Sequence, residues 1–101
     1  MNKQEFVSKL RKHLHGEVVT SIVENVPYSI EVSIGEGTIK GTRGSSGNSF
    51  KIDINELFDA YINCERPLTT PKLKNFITNR TQSPALAVLM ELEDRLKSET
   101  I

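Results

Sequence analysis

The sequence predicts an α+β fold: an N-terminal helix (or two), a three-stranded antiparallel β-meander, then three C-terminal helices packed on one face of the sheet. Three observations carry this. Apolar residues recur at helical spacing at both ends of the chain, they alternate in its middle, and Gly, Pro and Ser mark the changes between the two patterns. With 101 residues the chain reads as a single domain over 1–101, with one modest core and no room for a second lobe.

Residues 2–14 place Phe6, Val7, Leu10 and Leu14 on one side of a helix, and Gly16 stands where a helix end favours a left-handed residue. Residues 17–26 fit two patterns. Val18, Val19, Ile22, Val23 and Val26 follow a helical stripe, yet so many β-branched residues favour a strand. The helical stripe is the cleaner of the two, and Pro27 ends the segment either way. In 28–34, Tyr28, Ile30, Val32 and Ile34 alternate with Ser29, Glu31 and Ser33, which predicts a strand with one wet face. A turn at Gly35–Gly37 leads into a second strand over 38–43. The loop Gly44-Ser45-Ser46-Gly47-Asn48 leads into a third, with Phe50, Ile52 and Ile54 inward.

Asp53-Ile54-Asn55-Glu56 matches a capping box. The helix it opens carries Leu57, Phe58, Tyr61, Ile62 and Cys64 on its apolar side and stops before Pro67. Thr70-Pro71 and Ser83-Pro84 open two more, because proline suits the first helical position. One spans 71–80 with Leu73, Phe76 and Ile77 inward, and the other spans 84–98. The last begins Pro84-Ala85-Leu86-Ala87-Val88-Leu89 and is apolar around most of its circumference. Such a segment is either central to its own domain or shared with a partner, so a homodimer through 84–96 stands beside simple burial.

Lys plus Arg and Asp plus Glu each number 13, which argues against a surface given over wholly to polyanions. The charges nonetheless fall in blocks of one sign, and blocks can become patches. The start of the chain is charged and lacks an apolar leader core, and no apolar run nears the ~18 residues of a membrane span. A cytoplasmic protein with no membrane partner is therefore expected. A lone thiol, Cys64, excludes an internal disulfide and a multi-cysteine zinc site.

Little in the sequence speaks for catalysis or a cofactor. His13 and His15 are two apart and point to different sides of a helix, whereas a helical metal pair needs i, i+4 spacing. Cys64 sits on an apolar side with nothing to lower its pKa. Asp53 and Glu56 are explained by capping. No catalytic residue and no metal ligand is assigned.

The segment Arg43 to Asn48 is the most suggestive. Its small residues would let backbone amides approach a phosphate, and Ser45, Ser46 and Asn48 would donate to it. Lys40 and Lys51 lie on flanking strands that should pair, so three cations would gather at one hairpin, with Lys72, Lys74 and Arg80 extending the patch. The expected function is thus a non-catalytic nucleic-acid-binding or regulatory domain. Its alternative is a protein-interaction module, an accessory subunit or small inhibitor, that uses the helix carrying Glu56, Asp59 and Asn63, the apolar last helix, or a sheet edge. An acid bridging the hairpin cations would remove the first reading's premise.

Overall fold

The computed structural model describes residues 1–21, 25–44, 46–78 and 80–99. It is an α+β fold in two layers. A four-stranded antiparallel sheet, ordered β1-β2-β3-β4 as in the chain, consists of β1 (Val18–Thr20), β2 (Pro27–Ser33), β3 (Thr38–Arg43) and β4 (Ser49–Asp53). Among the described residues four α-helices complete it: α1 (Lys3–Leu14), α2 (Ile54–Asn63), α3 (Thr70–Leu73) and α4 (Gln82–Glu99). Alternation sorts the two faces of the sheet. Val19, Tyr28, Ile30, Val32, Ile39 and Ile52 point to one side and are buried. Helices cover that side: α1 packs on β2, α2 on β4 and α4 on β1, while α3 rests on α4.

The sheet has one strand more than the sequence predicts. Val18–Thr20 pairs with Pro27–Ser29 as a strand, not a helix, and Ile22, Val23 and Glu24 lie outside the described residues. Pairing decides this segment, because β2 would otherwise leave a row of backbone groups unbonded. The junction is a bulge in which Gly16 and Glu17 together oppose Ile30: Gly16 N–H donates to the Ile30 carbonyl at 2.8 Å and Ile30 N–H to Glu17 at 2.9 Å. Gly16 takes φ +79° there, the conformation a bulge of this type asks of glycine. Two residues further along β2, Val32 N–H donates to Nδ1 of His15 at 3.0 Å. The imidazole thus stands in for a strand that has already ended.

Four smaller expectations also shift. Ile34 leaves the strand for a 3₁₀ turn over Ile34–Glu36 and is 49 % exposed. The helix expected over 71–80 is regular only for Thr70–Leu73. Its continuation mixes i→i+3 and i→i+4 bonds up to Ile77. Thr78 then gives its N–H and hydroxyl to the Glu56 carboxylate at 3.1 and 2.9 Å, and Arg80 takes φ +56°. Glu56 therefore joins α2 to the segment before α4 and does not close a capping box, although Asp53 does cap α2 through the amides of Asn55 and Glu56. Ile62, expected inward, is 49 % exposed.

In α4 every residue from Pro84 to Leu89 is buried, as is Leu92. Its apolar start is the centre of this chain's own core, so it presents no free apolar face for a homodimer. The far end of α4 is held by charge. The Glu99 carboxylate meets Lys9 at 2.6 Å, Lys12 at 3.7 Å and the His13 imidazole. Arg95 bonds Glu91 at 2.9 Å, the carbonyl of His13 at 2.8 Å and Glu17 at 3.3 Å, closing the C-terminus of α1.

Gly41 sits where the sheet has no space. A Cβ there would lie 2.0 Å from the Ser29 carbonyl oxygen and 2.5 Å from the Phe50 ring. Gly41→Ala should cost about 2 kcal/mol or more in a urea titration, because backbone and not a flexible side chain must move. Glu99 generates a pH prediction. Bonds from Lys9 and then His13 lower its pKa from 4.5 to about 2. A depressed carboxylate stabilises fully above its unfolded pKa and loses that contribution as pH falls through the folded one. Melting temperatures of the native chain and Glu99→Gln should differ by a constant amount at neutral pH and converge as pH falls from 4.5 towards 2.

Candidate functional site

The face of the sheet turned away from the helices carries Ser29, Glu31, Lys40, Thr42, Ser49 and Lys51 in adjacent register. Together with His15 they line an open depression of about 690 Å³. Its chemistry is hydroxyl-rich and of mixed sign. Ser29 Oγ accepts from Thr42 N–H at 3.1 Å and donates back to the Thr42 carbonyl at 3.4 Å, so this hydroxyl is part of the ladder. Tyr28 and Phe50 meet edge to face, with ring centres 5.6 Å apart, on the opposite, helix-covered side. Neither ring offers the open face a stacking platform for a base.

Lys40 and Lys51 are direct cross-strand partners, as the sequence suggests. The ladder fixes their relation further. Arg43 N–H bonds to Asn48 and Ile54 N–H to Gly37. The intervening pairs alternate, so 40–51 is a close, non-hydrogen-bonded pair with Cβ atoms ~5 Å apart. Two ammonium groups there would repel each other. Glu36, swung over from the 3₁₀ turn, meets Lys40 at 2.7 Å and Lys51 at 3.7 Å. The Lys40 bond, and then its charge, hold the Glu36 carboxyl below the usual carboxylate range. Glu31 faces Lys40 from the other side.

Arg43 does not join them. It pairs with Tyr28 on the helix-covered side of the sheet, half-buried, while Lys40 faces the open side. The expected three-cation cluster is therefore two lysines with an acid between them. In the loop that follows, three of the described amides are committed. Gly44 N–H donates to Pro27 at 2.8 Å, Gly47 N–H to Arg43 at 2.8 Å and Asn48 N–H to Ser46 Oγ at 3.3 Å. Ser46 and Asn48 are exposed, and Ser45 lies outside the described residues. Lys72 donates to the Pro67 carbonyl at 3.0 Å, while Lys74 and Arg80 are exposed. Thr78 is bonded to Glu56 in the first turn of α2, beyond the last residue of β4. The 44–48 loop precedes the first residue of β4 and touches Pro27. The 44–48 loop and the Thr78–Glu56 contact thus lie at opposite ends of β4.

Comparison with family models, curated proteins and solved structures finds no match. What the site can do therefore rests on its geometry.

Other candidate groups are engaged structurally. Asp59 accepts from Asn63 at 2.6 Å. Cys64 is buried with its thiol towards the Glu65 carbonyl. Arg66 closes the end of α2 by donating to Cys64 at 2.7 Å and Tyr61 at 3.0 Å, and it pairs with Glu93. His13 and His15 serve separate partners. Among the described residues no helix is long and apolar enough to cross a membrane.

Sequence reasoning named a sheet edge as one surface but not the strand that offers it, which is β4. By the same alternation, Phe50 and Ile52 bond towards β3, while Ser49 and Lys51 direct their N–H and C=O groups outwards. Among the described residues, no backbone bond to these outward groups is seen.

Glu36→Gln isolates the charge question. The variant should elute later than the native protein from a heparin column at low salt, because two adjacent lysines lose their acid. In Lys40→Met the Glu36 carboxyl, followed by NMR, should titrate higher than in the native chain.

Proposed function

We propose that this protein is a non-catalytic interaction module that binds a partner protein by adding a strand to the open edge of β4. The observation that carries this reading is the outward row of backbone groups on Ser49 and Lys51. A strand edge is a template for another chain, and extended peptides exploit such edges. The opposite side of the sheet is less available: Gly16, Glu17 and the His15 ring occupy the edge of β2 beyond β1. β1 itself is only three residues long and is packed by α4.

The side chains of β4 give the edge a preference. Lys51 is exposed on the open face and Phe50 half-buried on the other. An incoming strand would meet the Glu31–Lys40–Lys51 row with an acid and the Phe50 rim with an apolar residue. Self-pairing is disfavoured. Two antiparallel β4 edges matched over their full length set Lys51 against Lys51, and like charges directly opposite destabilise. A lone edge lysine is also a recurrent guard against indiscriminate edge pairing. The polyanion reading draws less support, since Glu36 sits between the two lysines.

Proline at position 51 tests the reading, because the N–H it removes points outwards and costs no bond to β3. Affinity capture from a cell extract should yield proteins that bind the native chain and not Lys51→Pro. Adding the captured protein should slow amide exchange at Ser49 and Lys51. Equal capture by both baits, or unchanged exchange, would sink the proposal. Tight heparin retention of the native chain would favour the polyanion reading in its place.

A further inference from the structure

We propose that a second surface, the groove between the outer side of α1 and the turn at Ile34, docks an acidic amphipathic helix of a partner protein. The groove is shallow and open, with a volume of about 940 Å³. Its floor is Val7, half-buried, and Ile34, one of the few large apolar residues left exposed. Its rim is Lys3, Arg11 and Lys12, and among the described residues no acid lines it. Lys3, Val7 and Arg11 are four apart in sequence, so they form a single row along α1. That row of cation, apolar residue, cation runs about 12 Å, roughly two helical turns.

Lys74 and Arg80 aside, charge bookkeeping separates this place from the rest of the surface among the described residues. Lys9, Lys40, Lys51, Arg66 and Arg95 each meet an acid. Among the described residues no acid pairs with Lys3 or Arg11. Lys12 stands 3.7 Å from Glu99, a carboxylate already held by Lys9 and His13. Uncompensated positive charge and exposed apolar surface therefore coincide. A helix with two apolar residues one turn apart and acids on either side matches both features. A nucleic-acid backbone would leave the apolar floor unused, and a single fatty acid would answer only one of the cations. Charge complementarity of this kind sets partner choice and association rate.

The probe is a fluorescein-labelled, helix-forming peptide of about 14 residues, with leucines at i, i+4 and glutamates flanking them. Fluorescence anisotropy with the full-length chain should show salt-sensitive binding. That binding should weaken about tenfold or more in Arg11→Glu and in Ile34→Ser, and with a scrambled peptide of the same composition. Both positions are exposed, and circular dichroism checks that each variant is folded. Should Ile34→Ser unfold, a peptide with lysines in place of glutamates must bind Arg11→Glu better than it binds the native chain. Chemical-shift changes should centre on Val7, Ser8 and Ile34 and spare Ser49 and Lys51, which separates this groove from the β4 edge. Equal binding of the scrambled peptide, indifference to Arg11→Glu, or association with anionic phospholipid vesicles in place of the peptide would overturn the proposal.

Discussion

A strand can show only every second residue to one side of its sheet, and this constraint governs both the core and the surface of the molecule. It sets Tyr28, Ile30 and Val32 against the helices and turns Ser29 and Glu31 to water. It also decides which cations meet. Lys40 and Lys51 are paired across the ladder and share a face. Arg43 is an odd number of residues from Lys40, so an unbulged β3 must carry it to the other face. No side-chain flexibility repairs that separation, because the sheet itself lies between them. The same rule leaves Ser49 and Lys51, and not their neighbours, with backbone groups facing outwards.

Much of the fold was legible because several elements carry their own local signals. Phe6, Leu10 and Leu14 mark α1 by spacing alone, and Asp53 announces α2 with a cap that forms as expected. β1 lacked such a signal. Three residues cannot display an alternation, and Val18 and Val19 suit a helical stripe as well as a strand. Their state is settled by β2, which needs a partner, and no local reading contains that need. Glu56 illustrates the same limit. Its position in the chain fits a capping box, but Thr78, 22 residues away, supplies a better partner. Ile34 misled for a related reason, since the alternation it completes ends one residue before it, where the chain tightens towards Gly37.

The candidate site was legible in part, and in one respect the sequence contained more than was drawn from it. That Lys40 and Lys51 would pair followed from the hairpin. That Arg43 would not join them followed from parity, with no coordinates required. Glu36 was visible as an i, i+4 neighbour of Lys40, yet its reach to Lys51 depends on the 3₁₀ turn that brings it beside β4. The row Lys3, Val7, Arg11 could be read from spacing. Its partner Ile34 could not, because the alternation assigned that residue to the core.

What distinguishes the two proposed surfaces is the kind of group each leaves unsatisfied. Across most of the molecule polar groups are consumed internally: Arg95 and Arg66 close helix ends, Glu99 and Glu36 each bridge more than one cation, and Gly44 and Gly47 spend their amides on the Pro27 and Arg43 carbonyls. These contacts fix the packing of α4 on α1 and the shape of the β3–β4 hairpin, and a group so engaged cannot also recruit a ligand without giving up what it holds. At β4 the unspent groups are backbone N–H and C=O, which recognise an extended chain whatever its sequence. At α1 they are ammonium and guanidinium groups around an apolar strip, which recognise a pattern of side chains and tolerate many backbones. A partner that offered both an extended acidic segment and an acidic helix would engage the two sites through different chemistry, and salt would weaken the second contact far more than the first.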